Sequence, residues 1–320
     1  MSILPSFADE RARYLARNDA ALWRPVAEVI AARHGVTGPF ETTPRGFHVV
    51  LLGPTHAIKL ATPQHARDLE VERAALELVD GRLPVATPRI DAAGEVEGWP
   101  YLLLSRLGGA PAETVWGALD DAGRARVVVG LGELAAAIHA VPREGSAAAV
   151  VAVDWPEYVA TRRAAALDKH RSRGLDEAWL ADIAAFLDAL PPVETWPDDQ
   201  ALLHNDLHLD HIHVELDGAG RPTIVGLLDF ADVQAGAREA EFVTLGGFVA
   251  PVFRAAGSTF LRAYGLPAAD LTPELARRLT GHALIHRYCD IAPILGRYPE
   301  AARPRTLAEL HRRMWDFAAA

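Results

Sequence analysis

The spacing of apolar residues along this chain changes character near residue 105. Short apolar runs bounded by polar residues precede it, and long stretches with apolar positions three and four apart follow it, the signatures of strands and of amphipathic helices respectively. Helical runs are predicted within 8–35, around Phe7-Ala8-Asp9-Glu10-Arg11 and from Leu22-Trp23 to Ala31-Ala32. Short strands then reach to about 105, among them His56-Ala57-Ile58-Lys59-Leu60, which presents one lysine. Between strands, the stretch from Leu69 to Leu76 is predicted as a helix, with positions 69, 76 and 79 on one face. A Gly-Gly-Ala-Pro break at 108–111 interrupts the pattern. Helices are predicted beyond it at 119–141, 156–170 and 174–189, the last stopping before Pro191-Pro192. A β-pair over roughly 211–229 turns at Leu216-Asp217-Gly218-Ala219-Gly220, and three more helices are expected near 238–254, 271–292 and 304–318. There is no internal repeat and no low-complexity tract beyond Ala-rich helix.

Composition narrows the classes. With 320 residues, half of them hydrophobic, the chain is long enough for two units with separate cores. Its single cysteine, Cys289, excludes a disulfide framework and suits a reducing compartment. The opening Met1-Ser2-Ile3-Leu4-Pro5-Ser6 does not read as a secretion signal, and no apolar run approaches the ~20 residues of a membrane span. A cytoplasmic protein, with no membrane partner and acting as a monomer, is expected. A net charge of −10 argues against a nucleic-acid partner, which would need a basic face, and favours a cationic small molecule.

Candidate chemistry concentrates in Leu202-Leu203-His204-Asn205-Asp206-Leu207-His208-Leu209-Asp210-His211, followed by Leu227-Leu228-Asp229-Phe230. Phosphoryl transfer passes through a loose, highly charged transition state, so a protein must mainly position groups and neutralise charge. Asp206 suits the carboxylate that orients an acceptor hydroxyl and takes its proton. His211, five residues on, is a potential metal ligand. Asp229 closes the apolar run Thr223-Ile224-Val225-Gly226-Leu227-Leu228, where a hard cation such as Mg²⁺ can meet it. The rival reading is a loop whose His and Asp residues merely satisfy backbone groups; His208 and His213 fit that role, and a zinc cluster of His204, His208, His211 and His213 is disfavoured because a loop and an alternating strand spread those rings apart.

These residues resemble the aminoglycoside phosphotransferase family, a branch of the protein-kinase-like superfamily, whose catalytic stretch reads His-Gly-Asp-Leu-His-x-x-Asn before a strand ending in Ile-Asp-Phe. Here Asn205 replaces the glycine, a change that a left-handed backbone tolerates, and His211 replaces the Asn ligand, as in macrolide phosphotransferases. Trp99 to Leu107, Leu131 to Pro142 and Ile285-His286-Arg287-Tyr288 extend the resemblance and look closest to the hygromycin B phosphotransferases.

The resemblance implies an α+β, bilobal, protein-kinase-like fold, with a small β-rich nucleotide-binding lobe at 1–107 and a larger, mainly helical catalytic and acceptor-binding lobe at 108–320. It also implies ATP or GTP as donor and Mg²⁺ as cofactor, with Lys59 on the phosphates, Glu72 rather than Glu70 holding it, and Ser105 and Leu107 at the nucleotide-binding hinge. His204 is implied as a brace of the catalytic loop, and Thr43-Pro44-Arg45-Gly46-Phe47, with one glycine, as the phosphate-covering loop. Asp210, Asp232, Glu239, Glu241 and Asp290 are candidates to attract the ammonium groups of an aminocyclitol. Expected, then, is an antibiotic kinase acting on an aminoglycoside or aminocyclitol hydroxyl. A macrolide-type or metabolic kinase and a nucleotide-binding module without turnover are the alternatives.

Overall fold

The computed structural model describes residues 2–43, 46–192, 196–197, 199–253 and 255–317, apart from the side chain of Phe248. Pro44 and Arg45 of the predicted phosphate loop lie outside them, as do residues 254 and 318 at the ends of two predicted helices.

Two helices open the chain, α1 (Glu10–Ala16) and α2 (Ala20–His34), capped by the carboxylates of Asp9 and Asp19. A five-stranded antiparallel sheet follows, from β1 (Glu41–Thr42), β2 (Val49–Leu52), β3 (His56–Leu60), β4 (Ile90–Val96) and β5 (Trp99–Ser105), in the order β1-β2-β3-β5-β4. Helix α3 (Ala66–Val79) is inserted between β3 and β4. Alternation along β5 settles which element covers which face. Tyr101 and Leu103 join a core with Trp23, Val26 and Ile30 of α2, whereas Leu102 and Leu104 join the main core with Leu69, Leu76 and Val79 of α3. On β3, Ile58 and Leu60 belong to the α2 side, so the period of two sends Lys59 to the opposite face.

Past β5 come β6 (Ala110–Pro111), α4 (Ala112–Trp116), α5 (Asp121–His139), α6 (Gly145–Val151), α7 (Trp155–Ser172) and α8 (Glu177–Asp188). Two small antiparallel sheets then carry the acid-bearing segment: β7 (Gln200–Leu203) pairs with β10 (Gln234–Ala237), and β8 (Ile212–Leu216) lies between β6 and β9 (Pro222–Leu227). Helices α9 (Ala256–Tyr264), α10 (Pro273–Ile285), α11 (Ile291–Arg297) and α12 (Leu307–Met314) complete the chain. Helix α9 crosses α5 so closely at Gly132 that a Cβ there would stand 2.4 Å from the Phe260 carbonyl oxygen, a contact that glycine alone relieves. Among the described residues, no helix is long and apolar enough to cross a membrane.

Two of the predicted helices are divided. In place of one helix at 238–254 there is a 3₁₀ turn at Arg238–Phe242 and a π-helical turn at Leu245–Val249. The predicted helix at 271–292 ends as α10 at Ile285 and resumes as α11. Tertiary bonding accounts for the second break. Lys169 Nζ donates to the carbonyls of Leu284, His286 and Cys289, at 3.1, 2.7 and 3.1 Å, and His170 Nε2 bonds Leu284 O at 3.0 Å. The short α4 and α6 and the whole of α9 lie outside the predicted helices.

Buried histidines make the fold acid-sensitive. Burial is the main force depressing His170, His286 and His311 to about 4 and His282 to about 3. Below pH ~6.5 the unfolded chain takes up protons that the folded chain refuses, so the stability these neutral rings contribute is complete above that pH and is lost as pH falls towards 4. Thermal melts from pH 7 to 4.5 are therefore expected to lose Tm steadily below 6.5, with net proton uptake on unfolding; a flat Tm over that interval would show that these rings are not buried as described.

Candidate functional site

Three segments far apart in sequence meet between the sheet and the helical part. Lys59, on the inner face of β3, lies 2.7 Å from Glu72 Oε2 of α3 and 2.8 Å from Asp229 Oδ1. Glu70, on the outer side of α3, pairs instead with Arg67. Burial alone would lower the Lys59 pKa; Asp229 and Glu72 outweigh it and raise it, so the ammonium keeps its charge. Burial pushes Glu72 upward against the pull of Lys59, and the Phe230 amide donates to its carboxylate. For Asp229, burial is more than offset by Lys59 and His211, which hold the carboxyl well below its ordinary range.

The acid-bearing segment leaves β7 through a turn in which Asn205 takes φ 63, and Asp229 follows β9 at φ 62. Both are left-handed conformations that Asn and Asp tolerate better than most residues. The turn is braced from beneath. Both carboxylate oxygens of Glu241 accept backbone bonds, from the amides of His204 and of Asn205, the latter at 3.1 Å. His204 Nε2 bonds the Leu228 carbonyl at 3.0 Å, and Asn205 Nδ2 donates to Asp232 O at 2.7 Å. His204 thus ties the two acid-bearing turns together.

Asp206 stands between two rings, with His208 Nε2 3.2 Å from Oδ1 and His211 Nδ1 3.4 Å from Oδ2. Burial raises its pKa, but the bond from His208 and the charges of His211 and His208 lower it further, so the carboxylate stays ionised. His211 Nδ1 lies 2.9 Å from the Asp206 carbonyl oxygen. A carbonyl can only accept, so Nδ1 carries the hydrogen and the neutral ring presents the lone pair of Nε2. That nitrogen is 3.6 Å from Asp229 Oδ2. Burial would lower the His211 pKa, yet Asp206 and Asp229 raise it, which marks the space between the acids as one that favours positive charge. Oxygen and nitrogen donors converge here in an anionic site whose chemistry fits a divalent cation, and Asp229 Oδ2 and His211 Nε2 are among the atoms that could hold one. The four-histidine zinc arrangement is not formed: His204 faces Leu228, and His213 Nδ1 bonds Gly108 O at 2.7 Å.

Ser105 ends β5, its hydroxyl accepting from the Arg89 amide at 2.8 Å, and half-buried Leu107 lies on the connection to β6. The acids expected around an acceptor are mostly engaged within the protein. Glu241, 1% exposed, is spent on the amides of His204 and Asn205 and away from solvent, which corrects its assignment to the acceptor. Glu239 is held by Arg278 at 2.7 Å, Asp290 by Arg173 at 3.1 Å, and Asp232 by Tyr288 at 2.8 Å and Arg287 at 3.1 Å. Asp210 is half-buried on the catalytic segment, its amide donating to His208 Nδ1 at 3.2 Å. The bracing role of Glu241 escaped the sequence, since no spacing rule links it to amides 36 and 37 residues away.

Residues 42–278 match the model of the phosphotransferase enzyme family. Curated proteins yield no match to the sequence. Solved structures do. The GDP and kanamycin complex of APH(2'')-IIIa is 19% identical, with 81% of this chain and 89% of that chain covered at a TM-score of 0.66. Macrolide 2'-phosphotransferase MphH from Brachybacterium faecium is 24% identical over 92% and 97%, at 0.60, and aminoglycoside phosphotransferase APH(4)-Ia is 15% identical over 92% and 97%, at 0.61. At such identities the likeness establishes the fold, a sheet-bearing lobe and a helical lobe in the protein-kinase-like arrangement of aminoglycoside phosphotransferases.

Proposed function

The chain belongs to the phosphotransferase enzyme family and is a small-molecule O-phosphotransferase, and from that premise we propose that it modifies an antibiotic by transferring the γ-phosphate of ATP or GTP to one of its hydroxyls. One observation carries this reading: Lys59, Glu72, Asp206, His211 and Asp229 are drawn from four segments, β3, α3 and the two acid-bearing turns, into one charged site. Asp206 orients the acceptor hydroxyl and receives its proton as the new oxygen–phosphorus bond forms and the bond to the leaving diphosphate breaks. A carboxylate with a depressed pKa is a weak base, which suits a loose transition state in which the proton moves late. Lys59, steadied by Glu72, supplies fixed positive charge for the phosphates, and Ser105 and Leu107 lie on the segment assigned to the base. Mg²⁺ held by Asp229 and His211 would neutralise charge on the phosphate oxygens. One cysteine, buried, accords with a cytoplasmic enzyme.

Two acceptor classes compete. An aminoglycoside or aminocyclitol, hygromycin-like, is what the resemblance implies, and the negative net charge favours a cationic acceptor. Against it, Asp232, Glu239, Glu241 and Asp290 are engaged by arginines or by the loop itself, which leaves them less free to meet ammonium groups. That pairing favours a macrolide-type acceptor, which needs apolar and aromatic contact more than a carboxylate array. Incubating the full chain with ATP or GTP and either hygromycin B, kanamycin or macrolides, and following acceptor-dependent diphosphate release, separates the classes. Turnover with macrolides alone supports the second, turnover with the cationic compounds the first, and no turnover with any of them rejects the antibiotic reading.

Lys59→Ala is expected to lower kcat/KM for the nucleotide by ~10²-fold while leaving the acceptor KM unchanged, because a buried point charge on the phosphates is lost. An effect on acceptor KM alone would misplace Lys59. Metal preference offers a separate check on His211. An imidazole nitrogen favours Mn²⁺ over Mg²⁺ more than an amide oxygen does. Half-activation should therefore need less Mn²⁺ than Mg²⁺, and His211→Asn should shrink that gap ~10-fold while keeping substantial activity. Activation curves and electron paramagnetic resonance of bound Mn²⁺ measure this; identical preferences in the two proteins would remove His211 from the metal site.

A further inference from the structure

The stretch before β2 has a single glycine, Gly46, at φ +101, yet the proposed function needs backbone donors there to meet a triphosphate. Its carbonyls are held from outside by α1. Arg17 Nε donates to Gly46 O at 2.6 Å, and both terminal nitrogens of Arg13 approach Phe47 O at 3.4 Å. Neither arginine is left loose. Arg13 is 3% exposed, bonded to Glu10 Oε1 at 2.6 and 2.9 Å and set 5.0 Å from the Phe47 ring centroid. Arg17 lies 3.8 Å over the Tyr14 ring and donates to the Tyr14 carbonyl at 2.7 Å.

The same network reaches the helix that bears Glu72. His48 Nε2 is 3.1 Å from Asp68 Oδ2 in the first turn of α3, and His65 contacts both Asp68 at 3.5 Å and Glu10 at 3.7 Å. Phe47 packs edge-on against His65, with centroids 4.7 Å apart. The site is near, since β2 begins one residue after His48 and pairs Val50 with Lys59.

In a trans peptide, the C=O and the following N–H point in opposite directions. Fixing the Gly46 carbonyl on Arg17 therefore turns the Phe47 amide away from α1, and fixing the Phe47 carbonyl on Arg13 does the same for the His48 amide. We propose that Arg13 and Arg17 are positioning residues for the nucleotide's phosphates: they hold two carbonyls on the α1 side so that the amides of Phe47 and His48 are presented to the triphosphate. In this way an appended helix supplies the order that a glycine-rich sequence supplies elsewhere. The inference rests on the reading of this stretch as the phosphate cover.

Nucleotide affinity tests it without knowledge of the acceptor. Titration calorimetry of the full chain with ATP and GTP in Mg²⁺, and with adenosine and guanosine, is expected to give ~10-fold weaker triphosphate binding in Arg17→Met, with nucleoside binding unchanged. Arg13→Met should do the same, and Arg17→Lys, which keeps a donor, should recover part of the loss. Arg17→Met removes a side chain that is not deeply buried, so its folding, checked by Tm, does not depend on the Arg13–Glu10 pair. Equal losses for nucleoside and triphosphate, or none for either, would overturn the proposal. Amide spectra of protein labelled with ¹⁵N at Phe and His tell two failures apart. If the Phe47 and His48 amides do not respond to ATP in the wild type, the phosphate-cover reading fails and takes the inference with it. If they respond but the arginine variants bind ATP as tightly as the wild type, the role of Arg13 and Arg17 alone is wrong.

Discussion

Asp206→Asn is expected to bind nucleotide as the wild type does and to lose ~10²-fold or more in kcat, the scale associated with a positioned proton acceptor. The amide keeps the volume and one oxygen for the neighbouring rings, but it cannot accept the hydroxyl proton or carry the charge that His208 and His211 now face. Since the loop is held by Glu241, His204 and Asn205 rather than by the Asp206 side chain, the change should leave Tm nearly untouched. Steady-state kinetics with nucleotide Kd and Tm measured beside them check the split. Unchanged kcat would remove Asp206 from the chemistry, and a large fall in Tm would make its role structural.

The second large effect is expected at Glu241→Ala. Its carboxylate is buried and accepts two backbone bonds from the turn that sets Asp206. Truncation strands both amides away from water, at a cost on the order of 3 kcal/mol, and frees the φ 63 turn to relax. A lower denaturation midpoint together with a ~10-fold or greater loss of kcat should follow. Glu241→Gln, which keeps one acceptor oxygen, should fall between. If Glu241 touched the acceptor instead, substitution would raise the acceptor KM and leave stability unchanged.

Local chemistry made part of this site legible in the sequence. His204 to Asp210 and Leu227 to Phe230 announce themselves because a catalytic turn and a strand end must carry their acids at fixed spacing, and Asn205 was readable as a residue that accepts positive φ. The pairing of Lys59 with Glu72, which the residues alone left open as a solvated face, was implied by the family resemblance, and the structure brings the two side chains to 2.7 Å. Contacts made across long separations were not legible. Nothing in the run Arg287-Tyr288-Cys289-Asp290 says that Lys169 unwinds the helix there, or that Arg287 and Tyr288 occupy Asp232. For the same reason acids counted towards an acceptor turned out to hold arginines or the loop itself, since net charge reports the number of carboxylates and not their partners. The break at 238–254 has one local cause that propensity could have weighed, since adjacent Gly246 and Gly247 weaken a helix; the reason for glycine at 246, where a Cβ would stand 2.9 Å from Trp315, is a tertiary contact that propensity does not read.

Phosphorus NMR of the reaction mixture tests the central claim most directly, because it reads the bond that forms. With nucleoside triphosphate, Mg²⁺ and the antibiotic panel, the wild-type chain is predicted to produce a new phosphomonoester resonance in step with the diphosphate, and Asp206→Asn to produce it ~10²-fold more slowly. Diphosphate accompanied by inorganic phosphate alone, at the same rate with and without acceptor and in both proteins, would contradict transfer to an acceptor hydroxyl at Asp206.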